Sequence, residues 1–532
     1  MGATRCLRGF LLGGCVLALA ACGEGGKSSS LDSDGLRIAL PKRVFSRVLD
    51  PSGLIIMARL TGKADIERQL NVFGDSASGV FEAIPFGDYD LEIRIRYESG
   101  DAAFDLARAK KPVRIDADTV SVSVLAGEFA YVDDDKDNYS NLIEYEQGTD
   151  RNDRDVYPQA ARMFTTSQQG SGNLSSWDDA NGYVGTDAAD AICEAAAARA
   201  ALDGDYRAWI SDSETDAYCR LLGLQGFVGN RCEGEDTGQP LGPWVRVDGK
   251  PFSGKRDALL SENRIFSPPA VDEYGSAVAE KALLWTGATS MGYLAEDESP
   301  SAVHCQNWRS GDTQDRGRYG MSTRTVFDWT DTYFADCAHR GHLMCFETSR
   351  TAPLPDVRAR GKRVFLSESM GTGDVSSWDF AAGLQGVAAG DAVCQADAHS
   401  AGLPHAHRYK AWLSDGDLSA IDRIQGNGPW VRLDGMLVAR DKAQLRSGLS
   451  SSISVDSLGE HVWAMVLTGT AARSMQYTAE ASCQGWSSAS PGELQGFGLS
   501  AAVDHGWTEE FGYSPDNGCA FARFRLYCFE DE

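Results

Sequence analysis

The sequence predicts a multidomain chain, all-β near its N-terminus and α+β through two copies of one domain towards its C-terminus. Three observations predict it. Residues from about 36 to 130 alternate apolar and polar side chains, eight blocks of sequence recur in the same order from residue 162 onward, and eight cysteines follow that recurrence. At 532 residues the chain has length for three or four domains, and its 42% hydrophobic content can fill their cores.

The chain opens with a signal peptide over residues 1–21. Arg5 and Arg8 supply a positive start, and Phe10 to Ala18 is an apolar run too short to span a bilayer as a mature helix. It ends in Leu19-Ala20-Ala21-Cys22, which resembles the lipobox of bacterial lipoproteins. The resemblance implies cleavage before Cys22, acylation of its sulfur, and a membrane partner reached through lipid. Gly23 rather than Asp follows, which by the same likeness implies an outer-membrane address with the body exposed at the surface. Residues 22–35 are rich in Gly, Ser and acids and read as a flexible tether. The formal charge of −26 becomes −28 once Arg5 and Arg8 are removed. That balance excludes nucleic acid as a partner, because phosphate binding needs clustered Lys and Arg.

Residues 36–130 are expected to form a β-sandwich. Leu91 to Tyr97 and Val120 to Val124 alternate without a break, as strands with one buried face do. Gly53, Gly62, Gly87-Asp88 and Ser99-Gly100-Asp101 punctuate them. The run Phe81 to Leu91 resembles a strand–turn–strand of immunoglobulin-like (Ig-like) and transthyretin-like sandwiches. No catalytic constellation is visible here, so a spacer role is expected.

Residues 131–160 hold the strongest chemical motif. Asp133, Asp135, Asp137, Asn141 and Glu144 stand at positions 1, 3, 5, 9 and 12 of a loop, with the Tyr139 carbonyl at 7. Calcium needs six or more hard oxygens around one point, and this spacing winds them round it, with Glu144 binding through both oxygens and Asn141 through water. Asn138 takes position 6, where a left-handed residue is needed. The loop resembles the single calcium loops of dockerin and thrombospondin-type repeats, and Gly148 to Asp155 continue the likeness. The expected cofactor is calcium, held at about 10⁻⁴ to 10⁻³ M, and its expected role is to stiffen the joint between the β domain and the repeats.

The repeats span 162–348 and 363–532, joined by a linker over 349–362 that contains Pro353 and Pro355. Tyr206 to Asp212 recurs as Tyr409 to Asp415, and Gly242 to Gly249 as Gly428 to Gly435. Leu343 to Glu347 recurs as Leu526 to Glu530. Trp177, Trp209, Trp244 and Trp308 recur as Trp378, Trp412, Trp430 and Trp486. Positions fixed in both copies are what a shared scaffold requires, so these indoles are expected in the core rather than as sugar platforms. A helix is expected over Thr186 to Leu202, capped at Thr186-Asp187.

With Cys6 and Cys15 removed and Cys22 lipidated, ten cysteines remain: four in each copy and the extra pair Cys219 and Cys232 in a longer stretch of copy 1. An even count in an exported chain reads as a disulfide framework whose connectivity sequence alone leaves open. The early helix cysteine, the Ala-Trp-x-Ser-Asp and Gly-Pro-Trp-Val-Arg segments, the Cys-x-x-Trp and the terminal Cys-Phe-Glu together resemble an uncharacterised domain of spirochaetal and myxobacterial lipoproteins. That domain is grouped with endostatin and the C-type-lectin-like fold. The resemblance implies nested bridges, Cys193–Cys345 around Cys305–Cys337 and Cys394–Cys528 around Cys483–Cys519, with Cys219–Cys232 as the extra one. The carboxylate–Pro–amide and Trp-Asn-Asp segments of calcium-dependent lectins are missing; Trp329-Thr330-Asp331 and Trp507-Thr508-Glu509 are loose echoes.

An enzyme is not expected. His339-x-x-His342 on a helix and His405-x-His407 on a strand could ligate a metal, but neither recurs in the other copy, nor does His304. These histidines read as surface residues. Asp212/Asp415 and Asp248/Asp434 recur and read as turn caps. The expected function is surface adhesion or recognition of an extracellular glycan or protein through tandem lectin-like heads, at a site the sequence does not locate. The alternative is a structural component of the cell envelope with no diffusible ligand.

Overall fold

The computed structural model describes residues 36–532 apart from 46–48, 118–119, 261, 263, 295–302, 417, 473–474, 476–480 and 511–517. The signal peptide, Cys22 and the tether lie outside the described residues. The chain is multi-sheet and mostly β with few helices. It divides into two compact units, one ending at Val132 and one running from Asp133 to Glu532. The acidic loop therefore belongs with both copies.

Among the described residues the first unit has nine strands: β1 Leu36–Ala39, β2 Leu54–Gly62, β3 Asp65–Gln69, β4 Asn71–Phe73, β5 Ser76–Gly79, β6 Gly87–Ser99, β7 Ala102–Ile115, β8 Val122–Val124 and β9 Ala130–Tyr131. They form a five-stranded sheet in the order β3-β2-β6-β7-β9 and a four-stranded sheet in the order β4-β5-β1-β8. β1 and β8 run parallel. Alternation sorts β6: Tyr89, Leu91, Ile93, Ile95 and Tyr97 are buried, and Arg96 pairs with Glu98 on the other face. Ser99-Gly100-Asp101 turns the β6–β7 hairpin. Gly87-Asp88, expected as punctuation, instead starts β6, because it pairs in register with Arg114 and Ile115 of β7.

In the second unit the two copies have the same sheet. In copy 1 the strand order is 206–208, 344–347, 161–165, 244–246, 251–253; in copy 2 it is 409–411, 527–530, 362–366, 430–432, 437–439. One helix packs on each, Gly185–Arg199 and Gly386–Ser400. The first starts a residue earlier and ends three residues sooner than expected. Thr186 does not cap it, because its hydroxyl donates to Asp212 at 3.0 Å. Cys193–Cys345 and Cys394–Cys528 tie each helix to the strand it covers, Cys305–Cys337 and Cys483–Cys519 lie within that span, and Cys219–Cys232 closes the insertion.

The recurrent indoles are core. Trp209, Trp244, Trp308, Trp412, Trp430 and Trp486 are completely buried, and Trp177 and Trp378 nearly so. Each N–H finds the equivalent acceptor in its copy: Trp308 donates to Ser211 O and Trp486 to Ser414 O, both at 2.7 Å, while Trp209 and Trp412 donate to Thr330 and Thr508. Burying an aromatic side chain contributes about 1.5–3 kcal/mol, and the satisfied N–H avoids the cost of a stranded donor.

The Cys-x-x-Trp segment is a left-handed turn. Cys305, Gln306, Asn307 and Trp308 have φ of 47, 53, 55 and 61°, and Cys483 to Trp486 repeat this with 49, 55, 68 and 65°. Left-handed backbone costs an L-residue about 1–2 kcal/mol. The disulfide, the buried indole and a side-chain cap offset it: Nδ1 of His304 accepts from Asn307 N at 2.8 Å, and the Ser482 hydroxyl does the same for Gly485 N. Gly172 and Gly373 make room, since a Cβ there would lie 2.3 Å from the sulfur of Cys305 or Cys483.

The copies meet around a local two-fold. Trp329 and Trp507 are equivalent, so counting back five residues makes Arg324 the counterpart of Ala502. These two counterparts form an antiparallel bridge with each other. Thr325 N donates to Ala501 O at 2.9 Å, and its counterpart Val503 N donates to Thr323 O at 3.1 Å. That reciprocity defines an isologous contact. Its side chains break the symmetry. Arg324, 2% exposed, pairs with Asp504 at 2.6 Å and Glu510 at 2.7 Å. The Trp463 indole donates to Asp328 at 2.7 Å and stacks on Phe327.

Candidate metal centre

The acidic loop leads from β9 into the short helix Asn141–Gln147, capped by the Ser140 hydroxyl and closed by left-handed Gly148. Asn138 has φ of 78°, the left-handed conformation position 6 requires, and Lys136 is left-handed too. These two reversals curl the chain so that Asp133, Asp135 and Asp137 each place a carboxylate oxygen within 4.8 Å of the others. Among the described residues this is the cluster of three or more ligating side chains that could hold a metal ion.

The loop's own amides hold the carboxylates in place. Asp133 accepts from Lys136 N at 2.7 Å and Asn138 N at 3.0 Å, Asp135 from Asp137 N at 3.2 Å, and Asp137 from Tyr139 N at 2.6 Å. Glu144 is fully buried beside them. Both its oxygens, with Oδ2 of Asp135 and Oδ2 of Asp137, are buried and have no hydrogen-bond partner. Burial, then the charges of Asp137, Asp135 and Asp133, push the Glu144 carboxyl up to about 8. Asp135 and Asp137 are raised as well, mainly by burial. Four stranded carboxylate oxygens cost several kcal/mol, and a hard divalent cation is the partner that relieves both desolvation and mutual repulsion.

One ligand assignment changes. Asn141 is buried and occupied: its Oδ1 accepts from Asp134 N at 3.1 Å and its Nδ2 donates to Asp134 at 2.9 Å. It therefore braces the loop's entry rather than reaching a cation through water. The Tyr139 ring stacks on Tyr157 with centroids 6.0 Å apart, fixing the residue whose carbonyl the motif requires. The linker also touches the loop, as Asp356 N donates to Asn138 O at 2.6 Å. Sequence spacing carried no signal for that contact.

The other candidates do not assemble. His342 is buried with Nδ1 2.6 Å from Thr166 O, and His304 is buried as the turn cap; both were expected at the surface. His339 is exposed and pairs with Asp336, on a turn rather than a helix. His405 and His407 lie in and beside the 3-10 turn Ala406–Arg408, not on a strand. Asp212 and Asp415 cap turns. Asp248 and Asp434 instead grip Arg246 and Arg432 through paired bonds. Trp329 and Trp507 are core, and Asp331 pairs with Arg318. No helix among the described residues is long and apolar enough to cross a membrane. No protein-family model matches the chain, and no curated protein matches it.

Proposed function

We propose that this chain is a lipid-anchored, calcium-binding surface protein whose two copies are recognition heads for an extracellular glycan or protein. The observation that carries the calcium reading is Glu144, buried with two unpartnered oxygens beside three converging aspartates. In this reading calcium binds Asp133, Asp135, Asp137, the Tyr139 carbonyl and both oxygens of Glu144, and orders the start of the second unit. The first unit is an Ig-like or transthyretin-like sandwich acting as a spacer, and the copies are C-type-lectin-like or endostatin-like heads. Supporting the display role are five disulfides, which suit an oxidising exterior, and Cys22 at the end of the signal-like run.

Isothermal titration of residues 23–532 should show one calcium site at about 10⁻⁴ to 10⁻³ M. Asp135→Ala should abolish it, and Glu144→Gln should weaken it at least tenfold. Absence of calcium uptake by the wild-type chain at millimolar concentration overturns the assignment. Screening the same protein against glycans and matrix proteins, with and without calcium, tests the heads.

A further inference from the structure

The two copies differ at the C-terminal end of their helices. Trp177 and Cys193 recur 201 residues on as Trp378 and Cys394, so Arg199 corresponds to Ser400, Ser167 to Glu368 and Asp179 to Phe380. Strand 161–165 and strand 362–366 bond to Val271 and Val455 respectively, which makes Glu273 the counterpart of Ser457 and Tyr274 that of Leu458. In copy 1 the Arg199 guanidinium lies across this place, bonded to Asp179 and 3.7 Å from Glu273. Glu273 also accepts from the Ser167 amide and hydroxyl. Arg199 thus plugs an acidic recess of its own copy.

Copy 2 has lost the plug and both acids that hold it, with Phe380 and Ser457 in place of Asp179 and Glu273, and it gathers other acids around the same place. The carboxylate that caps the loop now comes from the helix: Asp397, 5% exposed, accepts from the amides of Glu368 at 2.8 Å and Ser369 at 3.1 Å and from the Ser369 hydroxyl at 2.9 Å. Ser400 is too short to reach across. A cavity of about 220 Å³ opens there, with Glu368, Asp379 and Asp397 among its walls. Exposed Met370, Phe380 and Leu458 rim it. Arg525 lies 3.6 Å from both Glu368 and the neighbouring Asp456 and leaves Asp379 and Asp397 without an ion pair to it.

We propose that this cavity of copy 2 receives an arginine side chain from a protein partner, its guanidinium entering where Arg199 lies in copy 1. A guanidinium is a planar cation with five donors and is weakly hydrated, so it suits a recess of carboxylates closed by apolar walls. Phe380 offers a ring face to the same cation. The rim side chains cover the aliphatic stem, as apolar surface covers the stems of long cationic residues elsewhere. The inference rests on the reading of the copies as recognition heads, and it commits copy 2 alone.

The test is titration of residues 23–532 with N-acetyl-arginine amide, whose only charge is the guanidinium, in 150 mM NaCl and saturating calcium. N-acetyl-citrulline amide, of the same shape but neutral, is the control. Arginine should bind at millimolar concentration and citrulline at least tenfold more weakly. Ser400→Arg, which restores the plug of copy 1, should abolish binding while leaving the thermal midpoint within a few degrees. Glu368→Gln, on an exposed side chain, should weaken it severalfold. Equal binding of both compounds, no binding of arginine, or binding untouched by both variants overturns the pocket. A glycan or matrix protein that still binds in any of those cases leaves the recognition reading standing, so the two failures are distinguishable.

Discussion

Copy 1 and copy 2 agree in their interiors and diverge at their edges. Sheet order, nested bridges, buried indoles and the left-handed turn are the same in both, whereas copy 1 has an extra bridged insertion and a plugged recess and copy 2 an open one. Even the contact between them follows this division: its backbone pairs counterpart with counterpart, while Arg324 faces Ala502. Duplication preserved what each core requires and left surface side chains free to specialise. The isologous backbone contact is the geometry of a symmetric dimer, and the asymmetric ion pair is what two joined copies can add to it.

The largest effect separates bridges shared by both copies from the bridge unique to one. Cys394 and Cys528 are 134 residues apart, and Cys219 and Cys232 only 13. In the chain-entropy description the longer loop stabilises by about 5 kcal/mol and the shorter by about 3. Replacing Cys394 and Cys528 by Ser should therefore unfold copy 2 well before the rest of the chain in calorimetry. Replacing Cys219 and Cys232 should loosen the insertion and leave the sheet of copy 1 intact. Equal losses from the two double variants would show that loop length does not govern these bridges.

Next in size is the asymmetric ion pair. Arg324→Ala makes the contact symmetric in side chains, Ala against Ala, and leaves Asp504 and Glu510 buried beside each other. Removing one partner of a buried pair costs about 3–5 kcal/mol. Lys281, 2.6 Å from Glu510, is partly exposed and offsets only part of that. Urea unfolding should show the loss, and limited proteolysis should find the 349–362 linker newly cleavable. A loss under about 1 kcal/mol would mean the reciprocal backbone bonds alone hold the copies together.

Much of this was legible from residues that must be the same twice. The cysteine and tryptophan positions located the cores, and the acidic spacing located the loop. The side-chain alternation of β6 gave its buried face. What was hidden depends on groups that have no spacing rule. The left-handed turn at Cys305–Trp308 arises from a disulfide and a cap made by His304, a residue copy 2 replaces with Ser482, so recurrence pointed away from it. Asn141 fits a ligand position by spacing, but Asp134 takes its amide first. The two-fold contact and the open recess exist only after the copies fold, because each is made by segments far apart in the chain.

The smallest effect sharpens the same contact from the other side. Asp328 of copy 1 is buried against Trp463 of copy 2, and desolvation raises its carboxyl to about 7 despite the indole N–H and Arg324. Its counterpart in copy 2 is Gly506, which carries no charge. The folded chain holds this proton up to about pH 7, and the unfolded chain releases it near 3.8. Over that window the folded state binds more protons, so this group's contribution to stability falls as pH rises and is lowest above 7. Asp328→Asn keeps an acceptor for the indole and removes the ionisation. It should stabilise modestly at pH 5 and by about 2–3 kcal/mol more at pH 8. Thermal unfolding of both proteins in saturating calcium, which keeps the loop carboxylates engaged, isolates the difference. A gap between variant and wild type that does not widen from pH 5 to pH 8 would place the proton elsewhere, and the buried acid at the joint would then be ionised and carried by Arg324.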